Sequence, residues 1–99
     1  MTFEQFNDGK GLSLKLDTKL TAVTAENLEK ELQTRLKGVE EFVVDMEKLA
    51  YVSSAGLRVL LKAQKLMNIQ GSMTIKNAVP EVMDIFTKTG FNEILHIEN

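Results

Sequence analysis

Apolar and polar positions change their period several times along the chain. Leu12-Ser13-Leu14-Lys15-Leu16 alternates, as a strand with one buried face does. Ahead of it, Phe3 and Phe6 lie in a short apolar segment closed by the turn signal Asp8-Gly9. From Thr24 the repeat lengthens, and Ala25, Leu28, Leu32 and Leu36 recur at three and four residues to make one apolar stripe. Glu26 with Lys30, and Glu31 with Arg35, add i,i+4 pairs with the acid N-terminal. Gly38 follows the last periodic residue and suits a left-handed helix end. This segment is predicted as a helix.

Phe42-Val43-Val44-Asp45-Met46 is short, apolar and branched, the pattern of a central strand buried on both faces. A second helix is predicted from about Ser54 to Asn68, with Gly71 beyond its end, and Met73-Thr74-Ile75-Lys76 alternates again as a strand. Pro80 suits the first position of a third helix, on which Val82, Met83 and Phe86 face one way and which Gly90 closes. Ile94 to Ile97 reads as a last strand or a packed tail. The order β-β-α-β-α-β-α, with a possible closing strand, predicts a layered α/β domain with a largely parallel sheet. Ninety-nine residues suit one domain, assigned to residues 1–99.

In such sheets functional groups collect where a strand's C-terminal end gives way to a helix. One such place is Asn77-Ala78-Val79-Pro80. The other runs through Glu47-Lys48-Leu49-Ala50 into Tyr51-Val52-Ser53-Ser54 and is richer chemically. Ser53 or Ser54 can serve as N-cap. Ala55 and Gly56 are small and predict a first helical turn open to solvent or to another protein. Glycine inside a helix costs ~1 kcal/mol relative to alanine, which suggests close approach by something. The helix that follows is apolar over most of its circumference, through Leu57, Val59, Leu60, Leu61, Ala63, Leu66 and Met67. Either it serves both a core and a partner surface, or it is fully buried against the sheet and a neighbouring helix. Arg58, Lys62 and Lys65 form a narrow basic stripe on it, read as a solvated face.

Composition narrows the function classes. At 43% hydrophobic and 26% charged the chain has the balance of a globular protein. Twelve basic and fourteen acidic residues give a net charge of -2, against the basic excess usual in nucleic-acid binders. With no cysteine, thiolate catalysis, disulfides and cysteine-ligated zinc are excluded. No signal peptide is seen, and no run approaches the ~20 apolar residues of a membrane span, so a cytoplasmic location with no membrane partner is expected. There is no Gly-rich phosphate loop, metal cluster or Ser–His–acid set, so neither an enzyme nor a cofactor or metal is expected. Asp45 reads as a capping or turn carboxylate, and His96, the only histidine, as ordinary surface or edge.

The run from Asp45 to Leu61, with Ser53-Ser54-Ala55-Gly56-Leu57 at its centre, resembles the signature of STAS domains, and most closely that of the free-standing bacterial anti-sigma-factor antagonists. Thr18-Lys19-Leu20-Thr21-Ala22-Val23-Thr24-Ala25 is similar to the family's Gly-x-Leu-Asp-x-x-Thr-Ala entry into the first helix. Asn77 to Pro80 and the segment Phe86 to Phe91 fit its last strand–helix unit. The resemblance implies a four- or five-stranded mixed sheet with the helices mainly on one face. It also implies an anti-sigma factor with serine kinase activity as partner, a serine phosphatase, and an acceptor two positions before the glycine. That is Ser54, with Ser53 kept as an alternative. By the same carry-over the partner surface comprises Thr21, Ser53, Ser54, Ala55, Gly56, Leu57, Arg58 and Lys62.

Spacing alone favours a plain N-cap for the two serines, and the resemblance reverses that preference. Two positions depart from the family pattern, because Ser53 and Thr21 stand where it often has aspartate. The implied function is partner switching by serine phosphorylation. The alternative is a STAS regulatory or scaffold module in another partner-switching assembly, controlling a phosphatase or a transporter.

Overall fold

Asn7, Asp8 and Gly9 all take positive φ, and the tight turn they make folds β1 (Thr2–Phe6) back on β2 (Gly11–Leu20) as an antiparallel hairpin. Asparagine and aspartate tolerate this region better than other side chains, and glycine enters it without steric cost. The computed structural model describes residues 1–99. After β2 the chain alternates: α1 (Ala22–Arg35), β3 (Glu41–Val52), α2 (Ser54–Gln70), β4 (Ser72–Lys76) and α3 (Pro80–Thr89). A 3-10 turn at Phe91–Glu93 leads to β5 (Ile97–Glu98). The five strands lie in sequence order, and every pair from β2 onward is parallel. The expected mixed sheet is present, with five strands.

Register explains why the helices share one face. Leu14 pairs with Val44, Val44 with Ile75, and Ile75 with Ile97, so these side chains project from the same side of the sheet. Leu14, Val44 and Ile75, with Leu12, Leu16, Phe42, Met46 and Met73, are buried under the helices, and Ile97 packs half-buried against them. The facing helix residues are Ala25, Leu28 and Leu32 of α1, Leu60, Ala63 and Met67 of α2, and Val82 and Phe86 of α3, which complete one continuous core. The other sheet face carries Ser13, Val43, Asp45 and Thr74, all half-buried, with Lys15 and Lys76 exposed. The expectation that Phe42–Met46 is buried on both faces is corrected here. Val43 and Asp45 lie on a face that no helix covers.

The apolar stripe foreseen on α1 is in place, and that helix packs along α2. Gln70 ties the two helix ends, its Nε2 donating to the carbonyls of Leu36 at 2.7 Å and Val39 at 2.6 Å. Gln64 is the one buried polar side chain. It donates to Asn68 Oδ1 at 2.9 Å and accepts from the His96 backbone N–H at 3.3 Å, tethering the C-terminal segment to α2. Of the two readings of Ile94 to Ile97, both hold in part. Leu95 is buried as a packed residue and Ile97 enters the short β5. No helix is long and apolar enough to cross a membrane.

Candidate functional site

β3 pairs with β4 only from Glu41 to Asp45. From Met46 to Val52 it continues with β2 alone beside it, a two-stranded ribbon roughly 20 Å long at strand rise. The polar stretches Asp17-Thr18-Lys19 and Glu47-Lys48, which lie beyond the strands predicted over Leu12–Leu16 and Phe42–Met46, are strand with two register irregularities. Thr18 takes φ 57 there, a costly conformation for a β-branched residue that turns the ribbon locally. Asp45, where β4 pairing stops, accepts from the Glu47 N–H at 3.0 Å and from Asn77 Nδ2 at 3.3 Å, a turn-stabilising role.

The ribbon ends with Leu20 beside Val52, and the Ser53 N–H donates to the Leu20 carbonyl at 2.9 Å. Each strand then enters a helix through a capped turn. Thr21 is the N-cap of α1: its Oγ1 accepts from the Thr24 N–H at 3.3 Å, and Thr24 Oγ1 accepts from the Thr21 N–H at 2.7 Å. Ser53 is the N-cap of α2, extended at φ -79 and ψ 169, with its Oγ accepting from the Gly56 N–H at 3.1 Å. Serine and threonine satisfy the free N–H groups of a helix start much as aspartate does. Both departures from the family pattern thus keep the capping chemistry while removing a negative charge from the rim.

Ser54 is the first helical residue of α2. It is exposed, and its hydroxyl makes no hydrogen bond. Ala55 is half-buried against the core. Gly56 is buried, and a Cβ added to it would lie 2.8 Å from Leu20 Cδ2 and 3.0 Å from Val52 Cγ1. The close approach inferred from this glycine is real, but it is made by the protein's own strand ends. The expected open first turn is corrected accordingly: Gly56 and Leu57 are buried and shape the turn from behind, while Ser54 carries its exposed surface.

Arg58 is exposed one turn beyond Ser54. Lys62, a further turn along, is paired with Glu29 of α1 at 2.6 Å. Beside the turn, Val23 is 70% exposed and Tyr51 47%, two apolar surfaces that sequence patterning did not single out. Their signal was available, since each is a large apolar residue out of phase with its element's buried positions. The remaining circumference of α2 is mostly interior. Val59, Leu60, Ala63 and Met67 are buried, which favours burial against sheet and α1, with Leu66 and Ile69 left at the surface. No group of three or more His, Cys, Asp or Glu residues is placed to hold a metal ion.

Comparison with known proteins agrees with this arrangement. The STAS domain family model matches residues 5–99, and the chain belongs to that family. A relative from Bordetella bronchiseptica, BtrV, is 39% identical over 82 residues, which span 81% of this chain and 71% of the relative. BtrV carries a provisional designation as an anti-sigma factor antagonist.

Among solved structures, the unphosphorylated form of the anti-sigma factor antagonist SpoIIAA superposes with a TM-score of 0.81 at 17% identity, covering 99% of this chain and 89% of that one. The phosphorylated form of Bacillus SpoIIAA gives 0.73 at 16% identity, covering 99% and 92%. A Thermotoga maritima protein with the same provisional designation as BtrV gives 0.88 at 16%, covering 99% and 85%. At these identities the structures speak to the fold, and the fold is the one described above.

Proposed function

We propose that this chain is an anti-sigma-factor antagonist. It binds an anti-sigma factor with serine kinase activity while Ser54 is unmodified, and is released when Ser54 is phosphorylated. One observation carries the reading. Of two adjacent serines at a helix start, Ser53 is consumed as the cap and Ser54 stands exposed with its oxygen free. STAS membership and the designation of the 39% identical relative support it.

The chemistry asks little of this chain. The Ser54 hydroxyl attacks the γ-phosphorus of ATP held by the partner, a P–O bond forms, ADP leaves, and the hydroxyl proton passes to the kinase or to solvent. A serine phosphatase reverses the change by hydrolysis. The product adds about -1.5 to -2 charge units and three strong acceptor oxygens. Within this chain the anion is tolerated, because the helix start offers free N–H groups and the positive end of its dipole. At a packed interface the same group has to be desolvated. A tenfold affinity loss needs only ~1.4 kcal/mol, so one phosphate suffices without any change of shape.

Incubation with the cognate kinase and ATP, followed by mass-spectrometric site mapping, tests the assignment. One phosphate is expected on Ser54 and none on a Ser54→Ala protein. Full labelling of that variant at Ser53 would overturn the assignment. Ser54→Asp is expected to bind the anti-sigma factor at least tenfold more weakly than the native chain, and equal binding would remove the electrostatic basis of release.

A further inference from the structure

Helix α2 carries a pair with one member missing. Three times the helices of this chain set an acid four residues before a base and close the contact. Glu26 Oε1 lies 3.5 Å from Lys30 Nζ, Glu31 Oε1 lies 3.1 Å from Arg35 Nη2, and Asp84 Oδ2 lies 2.9 Å from Lys88 Nζ. Ser54 and Arg58 have the same spacing and order, but the first position holds a neutral hydroxyl. The first turn of α2 contains no acid, and both neighbouring caps, Ser53 and Thr21, are uncharged. Arg58 has no carboxylate within salt-bridge distance, whereas Lys62 on the same stripe is already held by Glu29.

We propose that Arg58 is the intramolecular counter-ion of a phosphate on Ser54, an inference that rests on the acceptor assignment above. Acid-before-base is the favourable orientation for an i,i+4 pair on a helix. The planar guanidinium presents two parallel N–H groups to two oxygens of a phosphate, a rigid fork that the point charge of a lysine lacks. Phosphorylation then acts twice on the surface around the turn: it adds an anion and withdraws a cation. The unmodified chain presents Arg58 free to an acidic group on the partner. In the modified chain Arg58 is drawn back along its own helix, and the local charge moves from about +1 to roughly -1. A partner carboxylate facing this ridge loses an attraction and meets a repulsion in the same event.

The test uses the full chain with phosphoserine installed at position 54 by stop-codon suppression, titrated by phosphorus NMR. The native sequence is compared with Arg58→Gln and Arg58→Lys. Ion pairing favours the dianion, so the second ionisation of the phosphate is expected a few tenths of a pH unit lower with Arg58 than with glutamine, and lysine is expected to recover part of the difference. The Arg58 Nε–H resonance is expected to shift through the same titration. Superimposable curves for the native and Arg58→Gln proteins overturn the proposal. Because no kinase is involved, the outcome is separable from the acceptor assignment. A shifted titration beside a kinase that never labels Ser54 would defeat the functional reading and leave the ion pair standing.

Discussion

At the C-terminal end of β3 the chain enters α2 through Ser53, and at the C-terminal end of β4 it enters α3 through Val79. The two junctions lie at the same end of a parallel sheet and are finished differently. The second is closed by the chain itself. Val79 offers no side-chain cap, Pro80 removes one N–H that would need a partner, and the Asn99 amide brackets Ala78, accepting from its N–H at 3.0 Å and donating to its carbonyl at 3.2 Å. The first is anchored from below by Gly56 and capped by Ser53, yet its outer surface is left unused. A free hydroxyl at a helix start is what a modifying enzyme can reach, and a junction bracketed by Asn99 offers none. Equivalent positions in a sheet are therefore not equivalent sites.

That contrast can be broken experimentally, beginning with its anchor. Gly56→Val drives a branched side chain into Leu20 and Val52, and is expected to cost about 2 to 3 kcal/mol in urea unfolding. Unchanged stability would mean that the turn is not wedged against the strand ends.

Ser53→Ala removes the cap and is expected to cost about 1 kcal/mol, whereas Ser53→Asp, restoring the acid common in the family, should hold stability near native. An aspartate that destabilised as much as alanine would show that capping is not what position 53 supplies. At the other junction, Asn99→Ala loses two bonds to Ala78 and is expected to cost roughly 0.5 to 1 kcal/mol, with faster hydrogen exchange at the Ala78 amide. The smallest effect belongs to Ser54, the proposed acceptor. Ser54→Ala is expected to change stability by less than about 0.5 kcal/mol, since the hydroxyl bonds nothing in the fold, while phosphate incorporation disappears.

The helices were legible because each has one clean stripe. Ala25, Leu28, Leu32 and Leu36 are all buried, as their spacing requires, and Val82 and Phe86 anchor α3. The lengths of β2 and β3 were not legible. Once β3 leaves β4 it is a ribbon flanked by solvent, and Glu47-Lys48 and Asp17-Thr18-Lys19 carry polar residues where a buried strand would alternate. Irregular register breaks the period as well. Position 56 shows a different limit: a glycine reports that something comes close, and sequence alone cannot say whether that is a partner or the protein's own Leu20. Which of two adjacent serines caps the helix was likewise open, because both stand within reach of the first-turn N–H groups. The structure decides it through a single bond to Gly56.

Wedged between Leu20 and Val52, the start of α2 cannot rock without unpacking the core beneath it. The surface around Ser54 is therefore held in shape by the fold itself. Preformed patches associate at about 10⁵ to 10⁷ M⁻¹s⁻¹, and differences between variants of one interface fall mainly on dissociation. On the switch proposed above, a phosphate on Ser54 edits residence time: the two forms are expected to meet the partner at rates within about one to three decades of one another and to differ more in how fast they part from it.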